Sequence, residues 1–495
     1  MDAAGEPGVT GLRGRLRVGD PSNLIRLAPA EGATVASVTE RLEEVLEREA
    51  PAWGIRPVPD ELRRLGGGDL AVLWGDLSIG LLVLVTGALL VPALGARSAL
   101  LAIVVGSLAG CLPLALVGLA GSREGVPGMV MFRPVLGLRG SFLPSAVNLV
   151  QLVGWTAFEF WAMGLVANAV GKDLLGFDSY RFWVGTVAIV CTALALGGPV
   201  LVVRRWLERF GFWVVLAAAA WISFRVVSAG ELGAIWRLKG TGGLPFWAAV
   251  DLVVAMPISW LPLVADFNRF ARRGSSSFAG TYWGYAAGNV WFYSLGALMV
   301  LAAGSAPDVL DIGTKIASLA GGAVVLVVLL VGESDQAMAN IYSSAVSIQN
   351  VRPRLSQRWL IVATGATGFV LATLIRDSAS TFENFLLLIG SVFVPLFGVF
   401  AADYFVLRRG RFGERDLFEG VTPGFRARAL VPWLAGFATY QWCLPIGPAS
   451  WTGGVGRVFE ALHLPFPLIG GSAVGGSGPA FLAAFVLSLV VLRRD

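Results

Sequence analysis

The chain has 495 residues, 56% of them apolar and only 14% charged, with a formal net charge of +5. A mean hydropathy of +0.72 and apolar runs of about 20 residues recurring along the chain exclude a soluble domain and place it among multi-span membrane proteins. Cys111, Cys191 and Cys443 lie far apart within or beside apolar spans, which suggests small buried residues and neither a disulfide framework nor a zinc site.

The first 70 residues differ from the rest: mixed charge, Pro and Gly, with one amphipathic stretch, Val38 to Glu49, of the length of a short helix. This segment lacks the short apolar core of a signal peptide, so a retained cytosolic tail is expected. Apolar spans then begin near Leu73, Ala99, Ser141, Phe182, Phe210, Phe246, Gly280, Leu319, Leu360, Phe382, Ala429 and Pro467. They number about twelve, each long enough for roughly 30 Å of hydrocarbon. An even count puts both ends on one side.

Orientation follows from arginine. With a cytoplasmic N-terminus, the inner connections hold Arg123, Arg133 and Arg139, then Arg204, Arg205 and Arg209, Arg269, Arg272 and Arg273, Arg352, Arg354 and Arg358, and Arg408, Arg409 and Arg411. The outer connections are poorer, with Lys172, Arg181, Arg225, Arg237, Lys239, Lys315, Arg376 and Arg457. This positive-inside bias predicts a multi-pass protein of the cell (plasma) membrane with both termini cytoplasmic. The positive net charge is then topogenic, with no nucleic-acid partner implied.

Two spans are interrupted. Ala71 to Leu94 carries Gly75, Asp76, Gly80 and Gly87, and five spans later Phe246 to Phe270 carries Pro257 and Pro262. Unwound backbone inside a membrane must line a polar cavity, so a pair of broken helices at matching positions of two halves marks an inverted-repeat secondary transporter and points at its substrate site.

Ionisable residues inside spans are costly enough to be functional hypotheses. In the third span Trp155 and Glu159 stand at i and i+4, on one helical face, with Gln151 a turn earlier. A flat ring beside a carboxylate suits a planar ligand that stacks and donates N–H bonds. The alternative is ordinary packing for Trp155 and a neighbouring-helix partner for Glu159. In the sixth span Ser259 and Trp260 lie between the two prolines, where backbone carbonyls and a hydroxyl both reach a ligand. Trp260 is either the second face of an aromatic sandwich or a lipid-facing anchor. Asp266, Arg269 and Arg273, which follow, are expected to form a cytoplasmic ion-pair cluster.

The eighth span is the most polar. Glu333, Gln336, Asn340, Ser343 and Ser347 form one stripe at three-four spacing, while Ser334 and Asp335 point to adjoining faces. Hydroxyl, carboxyl and carbonyl oxygens are what a sodium ion needs, and the first break supplies carbonyls around Asp76 to Gly80. The alternative is polar glue between helices.

The runs Arg133-Pro-Val-Leu-Gly-Leu-Arg-Gly-Ser141, Gly154-Trp155, Ser259-Trp-Leu-Pro-Leu-Val-Ala-Asp-Phe-Asn-Arg269, Asn340-Ile-Tyr-Ser343 and Pro395-Leu-Phe-Gly-Val-Phe-Ala-Ala-Asp-Tyr-Phe405 occur in order between Leu73 and Leu492. Together they resemble the nucleobase:cation symporter-1 family. The resemblance implies an all-α integral membrane protein of LeuT-like fold with broken helices 1 and 6. Its parts would be a cytoplasmic tail (1–70), two inverted five-helix repeats (71–235 and 236–408) and two additional helices (409–495). It also implies transport of a heterocycle by ion-coupled alternating access. In the resemblance Trp155 would stack on the ring and Glu159 bond its edge; the residue pattern itself adds Gln151, Ser259, Trp260, Gln336 and Asn340 as expected further substrate contacts. Asp76, Gly80, Ser334 and Asp335 would hold the coupling ion.

Two departures from the family pattern bear on chemistry. Glu159 stands where the family often has an amide, and an ionised carboxylate only accepts, which favours N–H-rich ligands such as cytosine, guanine or an aminopyrimidine. Asp335 stands where a hydroxyl residue is usual, and a carboxylate either strengthens sodium binding or carries a proton. The coupling ion is therefore Na+ or H+, with no organic cofactor expected. The wording Ser259-Trp-Leu-Pro-Leu263 also resembles the hydroxymethylpyrimidine branch of the family, and a hydantoin or allantoin substrate is a further alternative. A membrane-embedded enzyme would need a concentrated catalytic set that one histidine, His463, and scattered acids do not make. A channel is the remaining alternative.

Overall fold

Apolar runs become helices, several of which stop at glycine: Gly125, Gly137, Gly176 and Gly198 are C-caps. The long third span, for instance, ends at Gly176, whose φ of 65° is a left-handed cap that most side chains resist. In this computed structural model residues 54–198, 211–229, 231–303, 309–319, 321–375, 379–418, 424–468 and 474–494 are described, all within the unit Glu49–Asp495. They are helical, and an isolated bridge between Leu65 and Ala271 is the one strand-like pairing among them. The stretch Val38 to Glu49 and Arg204, Arg205, Arg209 and Arg376 lie outside the described residues.

In chain order the first half contains α1 (Gly67–Asp76), α2 (Leu81–Ala88), α3 (Ala96–Glu124), α4 (Gly128–Leu136), α5 (Phe142–Leu175), α6 (Tyr180–Gly197), α7 (Phe212–Ala229) and α8 (Leu232–Ile235). The second half contains α9 (Phe246–Trp260), α10 (Val264–Asn268), α11 (Gly274–Ala303), α12 (Val309–Ser318), α13 (Gly322–Val351), α14 (Gln357–Ala372) and α15 (Ala379–Ala401), which runs into a π-helical turn, Ala402–Leu407. The C-terminal part adds α16 (Glu414–Phe418), α17 (Ala427–Cys443), α18 (Ala449–Ala461) and α19 (Ser477–Val491).

Among the described residues six helices are long and apolar enough to cross a membrane, and the pair α1 and α2, bent by 61° at its break, makes a seventh. The figure of about twelve is not reached on this criterion, because helices at other expected positions, such as α9, α14, α17 and α19, have only 15 to 17 residues.

Two groups of helices meet at the site. One contains α1, α2, α3, α9, α10 and α11; the other contains α5, α6, α13 and α14; α15 packs on α9 and on the C-terminal pair α17 and α19. The first group is drawn close by small residues. A Cβ on Gly280, Gly284 or Gly288 of α11 would run into the backbone of α1 or the Ser78 hydroxyl, and one on Gly296 would strike the Leu84 carbonyl of α2. With lipid on the outside as apolar as leucine, such close backbone approach is what holds membrane helices together.

The first interruption falls where glycine and a buried acid predict it. α1 ends at Asp76, and residues Leu77 to Gly80 turn before α2 begins. The second falls at the later of the two prolines. Pro257 sits inside α9, which continues through Ser259 and Trp260, and the turn comes at Leu261 to Leu263. Pro262, which lacks a donor and crowds the preceding turn, is the residue at the break.

Candidate substrate and ion site

The third-span face forms as its spacing predicts. Gln151, Trp155 and Glu159 are all at most 5% exposed and lie on the side of α5 that meets α13. Trp155 is held by rings from α15: Phe382 at 5.8 Å and 79°, and Phe385 at 5.5 Å and 71°, both edge-on. Its indole N–H has no acceptor among the described residues. The Asn340 amide of α13 donates to Glu159 Oε1 at 2.9 Å, while Glu159 Oε2 is buried without a donor. The neighbouring-helix partner weighed for Glu159 is thus present, and it occupies one of two carboxylate oxygens.

Gln151 joins the two groups of helices. Its Nε2 donates to the Ser259 carbonyl of α9 at 2.9 Å and to Asn148 Oδ1 at 2.8 Å, and Asn148 donates in turn to the Ser347 hydroxyl of α13. Gln151 Oε1 remains without a donor. The Ser259 hydroxyl is turned back on its own helix, donating to the Met256 carbonyl at 2.7 Å. Its carbonyl, rather than its hydroxyl, faces α5.

Trp260 is 4% exposed, so it is not a lipid-facing anchor. Its ring meets Trp74 of α1 edge-on at 6.1 Å, and Trp74 donates to Asn268 Oδ1 at 2.8 Å. No ring contact joins Trp260 to Trp155 among the described residues.

At the first break Asp76 and Asp335 are both buried, and none of their four carboxylate oxygens has a hydrogen-bond partner among the described residues. Asp335 and Glu333 both lie within electrostatic reach of Asp76. Gln336 donates weakly to the Ile79 carbonyl at 3.4 Å, and Glu333 Oε2 accepts from the Leu81 amide at 2.8 Å. Gly80 has an extended φ of −157° that any residue adopts. Its requirement is steric: a Cβ there would collide with Gln336 Nε2 and Glu333 Oε2. Ser334 donates to Val331 O at 2.6 Å within its own helix. Among the described residues no group of three His, Cys, Asp or Glu side chains is arranged to hold a metal ion, so any alkali cation here would rely on carbonyl and hydroxyl oxygens alongside the acids.

The structure therefore gathers the candidates into two neighbouring clusters. Gln151, Trp155, Glu159, Asn340 and the Ser259 carbonyl lie between α5, α9 and α13, and Asp76, Gly80, Asp335 and Gln336 lie around the first break. Trp260 and the Ser334 hydroxyl are occupied by neighbours in their own surroundings. Phe382 and Phe385 were not singled out in the sequence; two rings at i and i+3 in a span near a polar helix are the signal that points to them. The expected Asp266, Arg269 and Arg273 ion cluster takes another form. Buried Arg269 donates to the Gly54 carbonyl, the Tyr342 hydroxyl and the Asp266 carbonyl, and Asp266 accepts from the Gly128 amide.

Comparisons with known proteins identify the family. A family model described as "Permease for cytosine/purines, uracil, thiamine, allantoin" matches residues 57–461. A hydantoin permease of Microbacterium maritypicum is 23% identical over 416 residues, covering 78% of this chain and 81% of that protein. A cytosine permease of Escherichia coli K12 is 26% identical over 355 residues, covering 71% and 81%. The solved structure of Mhp1, a nucleobase-cation-symport-1 family transporter, in a closed conformation with bromovinylhydantoin bound, superposes with a TM-score of 0.74 at 18% identity, covering 90% of this chain and 95% of that one. A Na+-coupled sialic acid symporter shares the fold more distantly, with a TM-score of 0.60 at 11% identity over 91% of this chain. The chain belongs to the nucleobase:cation symporter-1 family of membrane permeases and is a transporter rather than an enzyme.

Proposed function

We propose that this permease imports a planar nitrogen heterocycle, a nucleobase such as cytosine or a purine, across the cell membrane by ion-coupled alternating access. Hydantoin- and allantoin-type rings and hydroxymethylpyrimidine are the nearest alternatives, the first two supported by permeases of similar sequence. The observation that carries the reading is the pairing of Trp155 with Glu159. The flat ring is steadied by Phe382 and Phe385, and the carboxylate has one oxygen held by Asn340 and the other unengaged. Such a site stacks one face of a ring and accepts N–H bonds from its edge. Gln151 and Asn340 place the bound edge; Gln151 reaches the Ser259 carbonyl ahead of the second break, and Gln336 reaches the Ile79 carbonyl at the first.

In this reading Asp76 and Asp335, with the backbone around Gly80, take the coupling ion, Na+ or H+. Two buried carboxylates within electrostatic reach of each other and without a basic partner need a positive charge between them, and either ion supplies one. Alternating access would move the group containing α1 and α9 against the group containing α5 and α13, which meet across this site. The repeats 71–235 and 236–408 and cytoplasmic termini follow from the same reading. A thermal-stabilisation screen of the purified protein tests it, with cytosine, purines, hydantoin, allantoin and hydroxymethylpyrimidine each added with and without sodium. A site of this kind predicts stabilisation by at least one planar heterocycle; stabilisation by none would exclude it.

A further inference from the structure

We propose that Glu333 is the positioning residue through which the ion cluster and the ring cluster communicate; the linking part of this proposal rests on the function just stated. Three observations meet at this one side chain. Glu333 is 1% exposed, and its Oε2 accepts from the amide of Leu81, the first residue of α2 beyond the break. The first amides of a helix have no partner within it and carry partial positive charge, so a carboxylate there caps the helix and fixes where it starts. Glu333 thereby ties α2, in one helical group, to α13, in the other, across the interface that must work during transport.

The second observation is electrostatic. Glu333 acts on Asp76 in the ion cluster and on Glu159 in the ring cluster, and no Lys or Arg is paired with it among the described residues. An ionisable carboxyl within reach of both clusters makes each sensitive to the other. A cation that neutralises Asp76 and Asp335 changes the field at Glu333, and a heterocycle whose N–H groups satisfy Glu159 changes it from the other side. The third observation is the close fit at Gly80. A Cβ there would come within 2.8 Å of Glu333 Oε2 and closer still to Gln336 Nε2, so the turn of the first break packs directly on the capping carboxylate and would displace it if enlarged. The remaining oxygen, Glu333 Oε1, has no donor, which leaves the carboxylate free to shift between the Leu81 amide and its other neighbours as the ion site fills.

Glu333→Gln and Glu333→Ala separate the two parts of the proposal. The Gln amide oxygen still accepts from the Leu81 amide, so the cap survives while the charge is lost; Ala removes both. Two quantities are measured on full-length, folded protein. One is hydrogen exchange in a peptide spanning Leu77 to Val83. The other is the ratio of heterocycle affinities with and without the coupling ion, read in sodium chloride against choline chloride and at two pH values at fixed sodium, using the ring that most stabilises the wild type. Glu333→Ala should speed exchange at the start of α2 by about tenfold, and Glu333→Gln should leave it near wild type. Both variants should reduce the sodium-dependent, or at fixed sodium the pH-dependent, affinity ratio at least threefold. Unchanged exchange in Glu333→Ala overturns the cap, and a wild-type affinity ratio in Glu333→Gln overturns the link. If no heterocycle binds the wild type, the functional reading and the link fail together, and the exchange result decides the positioning role alone.

Discussion

The Asn340 amide donates to Glu159 Oε1 at 2.9 Å, across the contact between α13 and α5, and leaves Glu159 Oε2 buried with no donor. In the proposed ring site this one bond leaves Oε2 as the oxygen open to a ligand. In its ionised form the carboxylate is acceptor-only, and a partner at Oε2 then brings the hydrogen.

In Glu159→Gln the amide oxygen can keep the bond from Asn340 while the NH2 group replaces Oε2. The site then donates where it accepted. Relative affinity should move away from rings with an amino edge, such as cytosine, toward rings with a carbonyl at that position, such as uracil. Competition binding of the two rings on wild type and variant checks it, and an unchanged preference would remove Glu159 from the site.

Trp155→Ala removes the stacking face but keeps Glu159 and its bond to Asn340. A loss of roughly 1 to 3 kcal/mol in heterocycle affinity is expected, by comparison with base stacking on aromatic residues. The loss should be similar across rings, because stacking does not read edges. Isothermal binding of two different rings tests both the size and the uniformity.

The first break was legible in the sequence because Gly75, Asp76 and Gly80 are out of place in an apolar run, and the cost of exposing polar groups to lipid makes such residues informative. The third-span face was legible because Trp155 and Glu159 are local, one helical turn apart. What could not be read was tertiary. Glu333 stood out only as part of a polar stripe, since its partner, the Leu81 amide, is 252 residues away in sequence. The second break lies within the run Ala255 to Leu263 that its two prolines mark, but which proline opens the helix could not be read, because proline marks a weakened helix without saying which side of it unwinds. Pro257 is accommodated inside α9, and the turn waits for Leu261 to Leu263.

Gly284 lies where a Cβ would meet the Ala71 backbone of α1, whereas a Cβ on Gly453 of α18 would meet nothing within 4 Å. Gly284→Ala should therefore lower thermal stability, by about 1 to 3 kcal/mol for overpacking a fixed contact. Gly453→Ala should leave stability unchanged or slightly raised, since alanine is the better helix former. Melting of the two variants in the same detergent decides the matter.

Gln151→Leu leaves the Ser259 carbonyl without its donor and separates Asn148 from its partner. Losing a buried hydrogen bond in this way costs about 1 to 3 kcal/mol. Because the bond joins α5 to α9, Gln151→Leu should also weaken heterocycle binding, whereas Gln151→Glu, which removes the same donor but keeps an acceptor toward the ring, should separate the stability effect from the binding effect.

Asp335→Asn keeps size while removing one of the two buried ionisable groups at the first break. Linkage is reciprocal, so an ion that binds there must raise heterocycle affinity by the factor by which the heterocycle raises its own. If sodium is the ion, affinity rises with sodium at fixed pH and the variant flattens that rise. If a proton is the ion, affinity ignores sodium and follows pH, and the variant removes the pH transition.

Uptake into proteoliposomes under an imposed ion gradient is the most direct measurement of the central claim, that heterocycle movement is coupled to an ion held near Asp76 and Asp335. The radiolabelled ring that stabilises the protein should accumulate above its external concentration when a sodium or proton gradient is directed inward. Accumulation should collapse when an ionophore dissipates that gradient, and it should be lost in Asp335→Asn while the variant still binds the ring. Uptake that only equilibrates, at the same rate with and without either gradient, would contradict the account.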